Sequence, residues 1–344
     1  MPNVGARPTY RLPIFDFLAV DSKIRDIGDL FPMATHTLSQ HFASFFRRLN
    51  PGMSFDAVAS SQYNTIKGLI EDPHGLAAIL APKCFLQGSY RQQTAIDTIN
   101  DVDIVALCRL WQPGGGGGGR TFERDEIFDI IAAPLKADGR YKAKVRYGPQ
   151  SMCVKVDLGI LVEILPVVYK AGTDDVQKEP FRLYRPEHAA WEDGYARYHQ
   201  QSLTWKNSAA KTASNFISAI KVFKHLRSRN KLEAVSFHIE CLLFSLPDSL
   251  FVGSPADFIP VLLEHIANQS ALTWFTQGCA TPCKDRKIFT PSEWSWEKWQ
   301  AFHQAIGVWS TYAKMARDSQ DRNAAITVWQ ILLGDDYFPT QPST

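Results

Sequence analysis

Phe85-Leu86-Gln87-Gly88-Ser89-Tyr90, followed after ten residues by Asp101-Val102-Asp103-Ile104-Val105, is the stretch on which the reading of this chain turns. An apolar run leads into a tight Gly-Ser turn, and the next apolar run carries two acids alternating with aliphatics. A turn without a bulky Cβ lets backbone N–H groups and one hydroxyl close on a phosphate. In a strand, side chains at i and i+2 share a face, so Asp101 and Asp103 are expected to point one way and Val102 and Ile104 into the core. With ordinary carboxyl pKa values of about 3.9, both acids are expected to be ionised. Two such carboxylates repel unless a positive charge sits between them. A divalent cation is the obvious counter-charge, and Mg²⁺ takes a few carboxylates together with substrate phosphates.

A third carboxylate is offered by Met152 to Val168, which alternates as two strands about a turn near Gly159-Ile160. The candidates are Glu163 and Asp157. If Gly159-Ile160 is a two-residue hairpin loop, Leu158 faces Leu161 and Val156 pairs with Glu163. Val154, Val156, Leu158, Leu161, Glu163 and Leu165 then share one face, and Asp157 lies on the other with Lys155 as its partner. A lone acid on an apolar face is costly unless a cation or metal matches it. That points to Glu163, with Asp157 kept as the alternative third ligand.

The chain has 344 residues, which suggests about two domains. Its 45% hydrophobic content can bury substantial cores, and a net charge of +2 supplies no global field to recruit nucleic acid or an anionic membrane. No stable nucleic-acid partner and no membrane association are expected, and the location is expected to be cytoplasmic: no run approaches ~20 apolar residues, and the first residues lack a basic-then-apolar leader. The six cysteines are scattered and read as small core residues. Cys279 and Cys283, with His265 or His303, fit no common zinc spacing.

Residues 1–30 read as an arm. Apolar positions at helical spacing predict helices over His36–Arg48 and Phe55–Glu71, the second leading towards the Gly-Ser turn. Gly114 to Gly119 reads as a mobile loop. Glu123 to Ala133 reads as a helix stopped by Pro134. From about Pro186 the pattern turns helical and strands are no longer evident. Asn207 to Arg229 is the clearest helix, with Asn207 as its N-cap. Phe216, Ile220 and Phe223 form its apolar stripe, and Lys224 at the margin is the kind of lysine that snorkels into water. Val235 to Leu243 opens another buried helix with Ser236 near its first turn.

The Gly-Ser turn followed by D-x-D on the next strand resembles the nucleotidyltransferase fold of the polymerase β superfamily. Phe216 to Lys224, followed by Ser236-Phe237-His238-Ile239-Glu240, resembles the helical lobe of cyclic GMP–AMP synthase and its bacterial relatives, the CD-NTases of CBASS anti-phage systems, themselves similar to oligoadenylate synthetases. Trp329-Gln330-Ile331-Leu332-Leu333-Gly334-Asp335-Asp336-Tyr337-Phe338-Pro339 resembles the ending of the bacterial enzymes. In them the third acid precedes two aliphatics and a proline, matched by Glu163-Ile164-Leu165-Pro166, although Asp is usual there.

The resemblance implies an α+β fold of two lobes with the active site in the cleft between them. A mixed-sheet nucleotidyltransferase core with a long N-terminal helix would span 1–185, and a helical lobe 186–344. Carried over by position, Gly88 and Ser89 would hold triphosphate. Asp101, Asp103 and Glu163 would bind two Mg²⁺ or Mn²⁺ ions about 3.5–4 Å apart. Lys224 and Ser236 would touch the donor phosphates, and Phe237 would stack on a base. His238 and Glu240 would orient their helix rather than do chemistry. The implied activity joins ATP, GTP or other NTPs into a cyclic di- or trinucleotide that activates a separate effector protein in anti-phage defence. The alternatives are a linear oligonucleotide synthase, transfer to RNA or protein, or a catalytically silent nucleotide-binding sensor.

Overall fold

The computed structural model describes residues 33–110, 122–169, 181–194 and 196–342. The arm and the Gly114–Gly119 run fall outside them. The described residues from Ala34 onward belong to one compact unit. Two helices lead in, α1 (Ser39–Leu49) and α2 (Met53–Ile70), within two residues of the expected span at the second and starting later at the first.

The sheet is built around β2 (Asp101–Cys108). It pairs antiparallel with β1 (Pro82–Gln87), from which the short α3 (Gly88–Arg91) turns away, and parallel with β5 (Leu161–Tyr169). Between β2 and β5 lie α4 (Arg124–Ala137) and the strands β3 (Val145–Arg146) and β4 (Val154–Asp157). β4 pairs antiparallel with the first half of β5, and β6 (Phe181–Arg185) with its end; β7 (Ala190–Gly194) pairs with β6. The mixed sheet follows from the alternation in β2. Val102, Ile104, Ala106 and Cys108 join Val154, Val156, Val162 and Ile164 under α2 and α4, where Ile66, Ile70, Ile127, Phe128, Ile131 and Leu135 complete one buried core. Each such aliphatic contributes about 1.5–3 kcal/mol when fully buried. The other face carries a smaller cluster of Val105, Leu107, Val167 and Phe181. Near the starts of β2 and β5 that face carries Asp101, Asp103 and Glu163, with Leu161 beside Asp101.

Three local expectations are corrected. The hairpin loop is three residues, Leu158–Ile160, so Val156 faces Val162 and Lys155 faces Glu163, one position from the expected pairing. Pro134 does not stop α4: it is buried inside the helix, which runs to Ala137, and its packing with Leu135 against the core offsets the lost hydrogen bond. Strands persist past Pro186, because Ala190–Gly194 completes the hairpin with β6.

The remainder is helical. α5 (Ala196–Lys206) and the short α6 (Ala209–Thr212) precede α7 (Phe216–Arg229) and α8 (Ser236–Ser245). The expected single helix from Asn207 is broken where Ala213 and Ser214 take left-handed φ values of 49° and 63°. Asn207 still serves the helix beyond the break, because its Oδ1 accepts the Ile217 N–H at 2.9 Å. α9 (Pro255–Ala267), α10 (Ala271–Gln277), α11 (Trp296–Asp318) and α12 (Arg322–Leu333) follow. Beyond α12 the chain returns to α1, with the buried Phe338 ring 5.0 Å from Phe42. Among the described residues no helix is long and apolar enough to cross a membrane.

Candidate active site

The register of three strands builds the site. Gln87, the last residue of β1, faces Asp103, and Asp103 faces Glu163 across the parallel ladder, while Asp101 faces Leu161. Residues paired in this way share a face, so Asp101, Asp103 and Glu163 all project from the side opposite the α2–α4 core. Lys155 and Asp157 lie on that face as well. The expected separation of Asp157 and Glu163 onto opposite faces is therefore wrong, the cause being the three-residue loop. Distance distinguishes them instead. Glu163 is on the strand next to Asp103, whereas Asp157 is one strand farther out, exposed, and paired with Arg146 at 3.1 Å.

Immediately after β1 the backbone of Gly88 takes φ +72° and passes beneath Asp103, so closely that a Cβ there would lie 1.8 Å from Asp103 Oδ2. Only glycine permits this contact. The turn is closed by Thr94 and Ala95, whose N–H groups donate to Ser89 O at 3.0 and 3.1 Å.

Charge at the site is not that of two freely ionised acids. Burial, and then the neighbouring Asp101, Glu163 and Glu240 carboxylates, push Asp103 up to about 7, with Lys224 opposing. Burial and Glu163 raise Asp101 as well. Glu163 has a partner of its own, Lys155 Nζ at 2.6 Å. That ion pair turns Glu163 aside, and among the described residues no three His, Cys, Asp or Glu side chains already converge as a metal cage. The donor set nevertheless suits a hard divalent cation: oxygen-only, anionic, and buried and crowded enough that added positive charge offsets the burial and repulsion that raise Asp103. Cys279 and Cys283 have partners of their own. Cys279 Sγ donates to Cys241 O, and Cys283 Sγ lies 2.8 Å from Asp285 Oδ1.

Above Asp101 and Asp103, but not lined by Glu163, lies a cleft of ≈ 410 Å³. Gly88, Ser89, Asp101 and Asp103 line its sheet side, and Ser236, Phe237 and Glu240 of α8 line its helical side. A second cavity, of ≈ 190 Å³, shares Ser89, Asp101 and Ser236 and is lined also by Lys224. Lys224 does not snorkel: it is 2% exposed, with Nζ 2.8 Å from Glu240 Oε1 and 2.8 Å from Thr94 Oγ1. Phe237 is half-buried, its ring 5.0 Å from that of His199, with the Arg286 guanidinium 5.1 Å from its centre.

The residues that sequence reasoning missed are His199 and the segment Cys283–Arg286. Arg286 is fixed by Glu293 at 2.8 Å and Asp285 at 3.0 Å. They come from elements far apart along the chain and carry no periodic or motif signal of their own.

Comparison with known proteins agrees with this fold. Residues 202–310 match the family model described as the cGAS/DncV-like nucleotidyltransferase C-terminal helical domain. A cyclic UMP-AMP synthase of Rhodothermus marinus is 24% identical over 245 residues, which is 64% of this chain and 82% of the relative. Among solved structures, the R. marinus CdnE c-UMP-AMP synthase with Apcpp and Upnpp superposes with a TM-score of 0.61 at 19% identity, covering 83% of this chain and 99% of that one. Vibrio cholerae DncV cyclic AMP-GMP synthase with a nonhydrolyzable GTP gives a TM-score of 0.63 at 10% identity, over 90% and 98%. At these identities the structural likeness concerns the fold.

Proposed function

We propose that this chain, a CD-NTase by its helical domain and its polymerase β-like core, joins nucleoside triphosphates into a cyclic di- or trinucleotide. The observation that carries the reading is the contact of the Asp103 carboxylate with the Gly88 backbone, which puts an acidic, cation-seeking face directly against a phosphate-sized turn. The core lobe is taken to end with β7 rather than at residue 185, and the helical lobe to begin with α5.

In this reading the backbone of Gly88-Ser89 and the Ser89 hydroxyl cradle the donor triphosphate. Ser236, at the first turn of α8, meets the phosphates from the opposite wall, where the free N–H groups of a helix start favour anions. Lys224 supplies positive charge from beneath, in the cavity it shares with Ser89 and Asp101. Phe237 offers a half-exposed ring for a base. Asp101, Asp103 and Glu163 would hold two Mg²⁺ or Mn²⁺ ions, Glu163 by leaving Lys155. When bound, the ions lower the pKa of the attacking ribose hydroxyl and stabilise the leaving pyrophosphate. The near-neutral charge suits small substrates better than a long nucleic-acid acceptor. The product is taken to act on a separate effector in anti-phage defence.

The Lys155–Glu163 ion pair favours one other reading, a sensor that binds NTPs without turning them over. Incubation with all four labelled NTPs and Mg²⁺ or Mn²⁺, then phosphatase and mass spectrometry, decides. A phosphatase-resistant product that is absent with Asp101→Ala/Asp103→Ala is expected. Linear products alone would replace cyclisation by oligomerisation, and tight NTP binding without product would establish the sensor.

A further inference from the structure

We propose that Glu240 is a positioning residue that joins the phosphate end of the cleft to its base end, a role that rests on the nucleotidyltransferase reading of the site. Glu240 is 4% exposed, and its two carboxylate oxygens hold separate partners. Oε1 accepts from Thr94 Oγ1 at 2.9 Å and from Lys224 Nζ at 2.8 Å. Lys224 Nζ also donates to Thr94 Oγ1 at 2.8 Å and to Thr94 O at 3.2 Å, so ammonium, hydroxyl and carboxylate form a closed triangle. Thr94 in turn donates its N–H to Ser89 O at 3.0 Å. The phosphate turn is thus tied through Thr94 to a carboxylate on α8.

Oε2 serves the other end. It lies 3.3 Å from His199 Nε2, which must carry the hydrogen because an ionised carboxylate only accepts. The His199 ring rests 5.0 Å from Phe237, and its Nδ1 has no partner among the described residues. Among the described residues, Glu240 is the polar group that holds this ring by a hydrogen bond, and so sets how it lies against Phe237.

A merely structural buried pair would be dispensable, since apolar residues of similar volume often replace one at no loss of stability. Here each bond ends on a residue that lines the cleft, as His199 does, or the smaller cavity beside it, as Thr94 and Lys224 do. Glu240 acts through Lys224 and Ser89 at one end and through His199 and Phe237 at the other.

The test is a double-mutant cycle on the full chain, read by calorimetric binding of inorganic tripolyphosphate and of nonhydrolysable analogues of the four NTPs in Mg²⁺. Glu240→Gln is expected to weaken tripolyphosphate about tenfold, as loss of a hydrogen bond to a charged group does, and to weaken its best NTP analogue more than that, because the base end is released too. Lys224→Met is expected to weaken both probes to the same extent. The double variant should lose less tripolyphosphate affinity than the two single losses added together, since one of the two routes from Glu240 to the phosphates runs through Lys224. Should Glu240→Gln not fold, Thr94→Val removes the hydroxyl that joins Glu240 and Lys224 to residue 94 while leaving the ion pair and the backbone bond to Ser89, and a severalfold loss of tripolyphosphate is expected. A folded Glu240→Gln, or Thr94→Val in its place, that binds both probes like the wild type would overturn the proposal. So would losses that add in full in the double variant. A wild-type chain that binds neither probe would instead overturn the nucleotidyltransferase reading beneath it.

Discussion

Substituting Gly88 with alanine tests whether the contact between turn and acid matters for turnover rather than for folding. Two costs are superposed at this position. A side chain at φ +72° pays left-handed backbone strain, about 1–2 kcal/mol. The new Cβ would also stand 1.8 Å from Asp103 Oδ2 and 2.7 Å from its Cγ, against an ordinary contact of about 3.5 Å, so the carboxylate must move by more than about 1 Å. Displacement on that scale in a reacting constellation costs about 10²-fold in rate. Gly159 supplies the control: its φ is +87°, and a Cβ there would meet nothing within 4 Å. Both variants are expected to lose the strain energy, seen as a fall of a few degrees in melting temperature, at about 2–4 °C per kcal/mol. Only Gly88→Ala is expected to lose turnover, by about 10²-fold, measured as pyrophosphate release from NTPs under saturating Mg²⁺. Equal turnover in the two variants would refute the reasoning, because it would mean that Asp103 can leave Gly88 without consequence.

Three further outcomes are expected. Glu163→Gln should lower pyrophosphate release by at least about 10²-fold, the scale of losing one electrostatic group at a transferring centre, while Asp157→Asn, one strand farther out, should stay near the wild-type rate; the reverse order would make Asp157 the third acid. Glu293 is held down at about 2 by its hydrogen bond from His238 and by Arg286, against its partial burial. Its folded pKa lies below the ordinary Glu value of about 4.3, so its contribution to stability is complete above that pH and disappears as pH falls towards 2. The gap in melting temperature between the wild type and Glu293→Gln should therefore be constant above about pH 5 and close below it, and a gap independent of pH would contradict the assignment. Phe338→Ala removes a fully buried ring packed on Phe42 and Trp329 and should cost about 3–5 kcal/mol in urea unfolding; a loss below about 1 kcal/mol would detach the C-terminal segment from the packing of α1.

What the sequence conveyed well is what neighbouring residues decide. The alternation of Asp101 and Asp103 with Val102 and Ile104 is a property of four consecutive residues, and the strand buries Val102 and Ile104 while the two acids stay partly exposed. The Gly-Ser turn is equally local. The hairpin register was not, because one additional loop residue moves every cross-strand partner, and nothing in Leu158-Gly159-Ile160 distinguishes a two-residue loop from a three-residue one. Glu163 was reached by an argument whose register was wrong, and its nearness to Asp103 comes instead from the parallel pairing of β2 with β5. Pro134 and Lys224 show tertiary packing overruling a local preference: the proline is tolerated inside a buried helix, and the lysine is drawn inward by Glu240 and Thr94. The wall formed by His199 and Arg286 was illegible because its members meet only after the helices have packed.

The most direct test of the account is the ratio of pyrophosphate released to nucleotide incorporated in a completed reaction of the wild-type protein with NTPs and Mg²⁺. Closing a ring breaks one triphosphate for every nucleotide it contains, so the account predicts a ratio of one, falling to no release with Asp101→Ala/Asp103→Ala. A ratio of one half, the value for a linear dinucleotide that keeps its terminal triphosphate, or no release by the wild type, would contradict it.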